Sequence, residues 1–171
     1  MSGLANRVCQ VLQDYLPAEL ALIDAEEADG LTTAVILSAN YHQWDRTVIP
    51  EYPACSIRLV SSTPTPAAGI FPDTFGSQID AWHRIDVMFH VVASAGPPTD
   101  LQALLVRYIT GAVRVLFIQK VGLATIADPT DDASWMTWPE SAVYGPDELQ
   151  ESGAIVRTAT LPIAVRRIEI R

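Results

Sequence analysis

In Arg84-Ile-Asp-Val-Met-Phe-His-Val-Val-Ala93, apolar and polar side chains alternate. Ile85, Val87, Phe89 and Val91 share one face, and Arg84, Asp86, Met88 and His90 the other. A period of two is that of a strand with one buried face. Gly96-Pro97-Pro98 ends it. Thr99, with Gln102 three residues on, has the spacing of a helix N-cap and capping box. A helix is expected from about Asp100 to Phe117. Leu101, Leu104, Leu105, Tyr108, Ala112, Val115 and Leu116 form its apolar stripe. Val106, Ile109, Val113 and Phe117 form a second stripe beside the first. One stripe suffices to pack a helix on a sheet. The second is expected to meet another helix of the chain or another copy of it. The remaining polar strip carries Arg107 and Arg114, seven residues apart.

Outward from this pair of elements, the chain has 171 residues, the length of one domain with long loops. Hydrophobic residues make up 49%, enough for a core and against disorder by composition. No apolar run approaches the 18 or so residues of a spanning helix, so no membrane partner is expected. The N-terminus lacks a basic stretch followed by an apolar one, so no signal peptide is expected. Cys9 and Cys55 read as small buried residues in a reducing compartment. A net charge of −9 argues against sequence-independent nucleic-acid binding, but not against a surface that repels DNA. Ten of the eleven basic residues are arginine, which suits interface pairs and also follows from genome base composition.

Residues 3 to 28 read as helix, from Leu4, Val8, Val11, Leu12 and Tyr15 at helical spacing. Pro17 is expected to kink it or to start a second helix, and Asp29-Gly30 to end it. Glu19, Asp24, Glu26, Glu27 and Asp29 form an acidic run with no basic residue among them, read as a solvated helix face. Leu31 to Leu37 is compatible with a short strand, and residues 40–45 with a loop. Glu51-Tyr-Pro-Ala-Cys-Ser-Ile-Arg-Leu-Val60 is a clearer strand. Residues 61–79 hold Pro64, Pro66, Pro72, Gly69 and Gly76 and read as a long connection. Its Ile70, Phe71 and Phe75 are a candidate contact surface, or else fold back on the domain. A second connection of about 119–135 follows the central helix. Trp135, Met136 and Trp138 suggest a short strand before Pro139, and Gly145-Pro146-Asp147 a turn. From Ala154 to Arg171 the pattern is β. Leu161, Ile163 and Val165 share one phase, and Ile168 and Ile170 the other. That switch implies a bulge near Arg166-Arg167, or a move to another sheet or subunit. Pro162 implies an edge.

Chemistry is hard to find in these residues. His83 and His90 fall on opposite sides of one strand pattern. No metal-ligand spacing, nucleophile elbow, phosphate loop or dinucleotide fingerprint is present. No catalytic residue, metal or cofactor is expected, and the chain is read as a non-enzyme. Tyr52, Trp82, Trp135 and Trp138 suit sheet packing or interface anchors better than a pocket.

The order of elements carries more. A helix precedes Glu51-Tyr-Pro-Ala, a long Pro-rich connection and Arg84-Ile-Asp-Val-Met-Phe. Then come Tyr108-Ile-Thr-Gly-Ala-Val-Arg-Val-Leu116 and a β-rich end, Leu161-Pro-Ile-Ala-Val-Arg-Arg-Ile-Glu-Ile170. This order resembles the tail terminator, or tail-completion, proteins of long-tailed bacteriophages, over most of the chain. The resemblance implies a single α+β domain over 1–171. Its mostly antiparallel β-sheet has helices packed on one face and long inter-strand loops, with 61–79 and 119–135 as projections. It implies a homo-oligomeric ring, in the family a hexamer, which caps the head-proximal end of the tail tube and ends its polymerisation. The implied partners are the tail tube protein and a head-completion or neck protein, with DNA only in transit. The implied location is the virion, at the tail–neck junction, after assembly in the host cytoplasm. In such a ring Glu26, Glu27 and Asp29 are expected to face the lumen, the alternative being the outer solvated face. Another neck ring component, or a small cytoplasmic ligand-binding domain or enzyme, are the rival readings.

Overall fold

The computed structural model describes residues 2–43, 49–66, 78–93, 98–118, 134–150 and 153–170. The architecture is α+β. Helix α1 (Ser2–Glu27) is followed by a 3-10 turn (Ser38–Asn40) and the two-residue strand β1 (Tyr41–His42). Strands β2 (Ala54–Pro66) and β3 (Gln78–Ala93) precede helix α2 (Pro98–Val113), which ends in a π turn (Arg114–Ile118). Strands β4 (Ser134–Pro139), β5 (Val143–Leu149) and β6 (Ile155–Ile170) complete the chain. The sheet has six strands in the order β1-β2-β3-β6, with β4 and β5 lying end to end along the outer side of β6. Only β1 is parallel to its neighbour.

Alternation sets the faces as expected. Cys55 stands opposite Phe89 and Phe89 opposite Ala159; Ile57 stands opposite Val87 and Val87 opposite Leu161. All of these lie in one core with α1 and α2. Phe89 stacks on Tyr108 of α2 with ring centroids 5.5 Å apart. Both helices therefore cover one face of the sheet. At Gly111 an added Cβ would lie 2.8 Å from the Leu16 Cδ1 atom and 3.2 Å from Leu20 Cδ2, so the absent side chain lets α1 lie close on α2.

Among the described residues, no helix is as long as strand β3 or β6. At about 1.5 Å per residue α1 reaches roughly 39 Å. Sixteen residues of β3 or β6 at about 3.3 Å reach roughly 53 Å. The β3–β6 ladder runs without a break from Ala93↔Ile155 to Gln78↔Ile170. Its end at Gln78, where β2 and β3 make a hairpin, carries on past the core pairs of Ile85, Val87, Phe89 and Val91.

Several expectations are corrected. Helix α1 continues through Pro17 as one helix, so no second helix starts there. An interior proline costs roughly 3 kcal/mol, and each fully buried leucine-sized side chain returns about 1.5–3 kcal/mol. Leu12, Leu16, Leu20 and Ile23, all buried, hold the helix together on both sides of it. The last turn closes with Ala28 N–H donating to Asp24 O at 3.2 Å, and Ala28 itself takes the left-handed conformation, φ 49°. Helix α2 starts at Pro98, a favoured first helical position, so Thr99 lies inside the first turn and is not its cap.

Prolines misplaced the strand limits. Beyond Ser56, β2 has no described neighbour except β3. Pro64 and Pro66 are thus tolerated in an edge strand, and the connection shortens to 67–77. Pro162 is not on an edge strand: β6 lies between β3 and the β4–β5 line. Glu140 N–H donates to Pro162 O at 2.8 Å, so the outer side of Pro162 faces residues 140–142, between β4 and β5. Its missing N–H falls in that break and not in the β3 ladder. No bulge or change of sheet occurs at Arg166-Arg167, since the register with β3 is constant there. Register shifts occur instead in β2, between Leu59 and Ser61, and in β5. Gly145-Pro146 is the irregularity between Tyr144↔Ala159 and Asp147↔Arg157, not a chain-reversing turn. Between β5 and β6, Gly153 N–H donates to Gln150 O at 2.9 Å, and Gly153 is at φ 80°.

Candidate assembly surfaces

Arg107 of α2 and Arg114 of its π turn hold α1 and the chain that leaves it. Arg107, 5% exposed, donates from Nη1 to Asp24 Oδ1 at 2.7 Å and to Leu31 O at 2.6 Å, and from Nη2 to Asp29 Oδ1 at 2.6 Å. Asp24 also accepts from the Thr33 backbone at 2.7 Å and hydroxyl at 2.6 Å. Burial pushes the Asp24 carboxyl up, but the Thr33 and Arg107 hydrogen bonds outweigh it and hold the group below its ordinary range. Arg114, one helical repeat on, donates to Glu19 at 3.2 Å and from Nη2 to Glu26 at 2.8 Å. Hydrogen bonding to Arg114 holds the Glu26 carboxyl low. The acidic run is therefore not a plain solvated face. Of the three residues expected at a lumen, Asp29 is bound to Arg107 and Glu26 to Arg114, while Glu27 is exposed.

The second stripe of α2 divides. Ile109 is buried in the core, and Val113 and Phe117 pack against it, in the region where α1 lies on α2 and the π turn. Val106 is 42% exposed. The contact residues Ile70, Phe71 and Phe75 lie outside the described residues.

Residues 31–37 were compatible with a strand, and they belong to no ladder among the described residues. They run back along α1. Thr33 is bound to Asp24 and Ser38 to Gln13, whose Nε2 donates to Ser38 O at 3.1 Å. Eleven helical residues and five extended ones both span roughly 16 Å, so the segment is fully stretched. Leu31 O accepts from Arg107 and Ala34 O from Tyr108 Oη, which fixes the segment to α2 as well. Thr33 and Ile36 are buried against the helices, while Val35 and Leu37 point outward, 49% and 61% exposed. The segment leads into β1, at one side of the sheet. At the opposite side lies β5, exposed along nearly its whole length, with Leu149 77% exposed.

The sheet face away from the helices carries a polar cluster. His90 Nε2 is 3.2 Å from Ser56 Oγ, and its Nδ1 is 3.0 Å from Thr158 Oγ1. A serine beside an imidazole suggests nucleophilic chemistry, but the third member here is a hydroxyl, where the hydrolytic triad has a carboxylate. Asp86, on the same strand face, is bound to Arg58 at 2.8 Å, and Ser56 is buried. The cluster reads as cross-strand satisfaction of a buried polar row.

An open groove of about 420 Å³ between α1 and β1 is lined by Asn6, Cys9, Gln10, Gln13, Asp14, Tyr41 and Gln43. Its walls are mostly carboxamides. Burial pushes the Cys9 thiol up, and the Cys55 thiol well up, which disfavours the reactive thiolate at both. Among the described residues no group of His, Cys, Asp and Glu is placed to hold a metal ion, and no helix is long and apolar enough to cross a membrane.

Sequence reasoning named both arginines and the acidic run, and did not join them. The signal was present: two arginines seven residues apart in one helical stretch, and Glu19 and Glu26, also seven apart, on another helix. No protein-family model matches the chain, and a search of curated proteins gives no significant match.

Proposed function

We propose that this chain is a structural subunit of a long-tailed bacteriophage, a tail terminator. Copies form a ring, hexameric by the family pattern, on the head-proximal end of the tail tube. The ring stops tube polymerisation and offers its other face to a head-completion or neck protein. DNA passes through it without being held, and no catalytic step or cofactor is involved.

The observation that carries this reading is the mismatch in length between strands and helices. Among the described residues, strands of roughly 53 Å outreach a longest helix of about 39 Å. Strand length beyond the described helices is available for contact with other subunits. The α+β architecture with helices on one face supports the same reading, since it is the one the resemblance implies.

The mass of the purified protein tests the assembly half. Light scattering should give a discrete multi-copy species, and a single-chain mass up to high concentration would contradict it.

A further inference from the structure

We draw no further inference here: the strongest candidate, the surface patch of exposed Val35 and Leu37 on the stretched segment 31–37, carries nothing, because nothing in the structure shows what covers it.

Discussion

Arg107 of α2 and Asp24 of α1 are joined at 2.7 Å, and the joint reaches further than the two helices. Asp24 also takes both donors of Thr33, and Arg107 also takes Leu31 O and Asp29. The pair therefore sets where the chain leaves α1 and the line that residues 31–37 follow. An arginine suits this position because its planar fork meets several acceptors at once.

Replacing Arg107 with alanine should destabilise the fold by roughly 2–3 kcal/mol, since Asp24 and Leu31 O lose a charged donor at a largely buried site. Lysine should recover only part, having a single ammonium for three acceptors. Urea unfolding midpoints check this. Amide exchange over 31–37 should also quicken in Arg107→Ala.

Acid should act through the same cluster. The carboxyls of Asp24, Asp29 and Glu26 are all held below their ordinary values, the last two mainly by hydrogen bonds from Arg107 and Arg114. A carboxylate with a lowered folded pKa stabilises the fold above its unfolded pKa of about 4, and that stability is lost as pH falls through the folded value. Urea midpoints should be level from about pH 7 to 5 and fall steadily below about pH 4. In Asp24→Asn the fall should be shallower; an unchanged slope would remove Asp24 from the account.

Val113→Asp and Val106→Asp separate the two parts of the second stripe. Val113 packs against the core, so a carboxylate there should cost about 2–3 kcal/mol. Val106 is exposed, and the same change should stay within about 0.5 kcal/mol. Equal losses in thermal or urea unfolding would mean that Val106 is covered.

What was legible in the sequence was local and periodic. Alternation at Ile85, Val87, Phe89 and Val91 placed β3 and its buried face, and the first stripe of α2 placed the helix on it. What was not legible depended on neighbours. Pro64 and Pro66 read as loop because a proline breaks a ladder, and only the sheet order shows that their side has no strand to lose. Pro162 read as an edge for the same reason, yet it sits in a gap between two strands laid end to end. Leu31 to Leu37 has strand composition, but strand is a pairing and composition cannot supply the partner. Arg107 and Arg114 were seen as a strip and the acids as a face. Joining them needs the crossing of α1 over α2, which no single-helix pattern contains.

Glu27 tests the proposed lumen. Glu26 and Asp29 are bound to arginines, so reversing their charge would disturb the fold as well as any channel. Glu27→Lys alone changes an exposed charge. If this face lines the path of DNA, particles carrying it should eject more slowly at low salt. Added salt should restore the rate, since screening shortens to about 10 Å at 0.1 M. Normal ejection at low salt would place Glu27 on the outside.

The most direct measurement is electron microscopy of the purified protein mixed with growing tail tubes. The account predicts a ring of several copies at one end of each tube, and no further growth at that end. Tubes that lengthen normally, with no added density at either end, would contradict it.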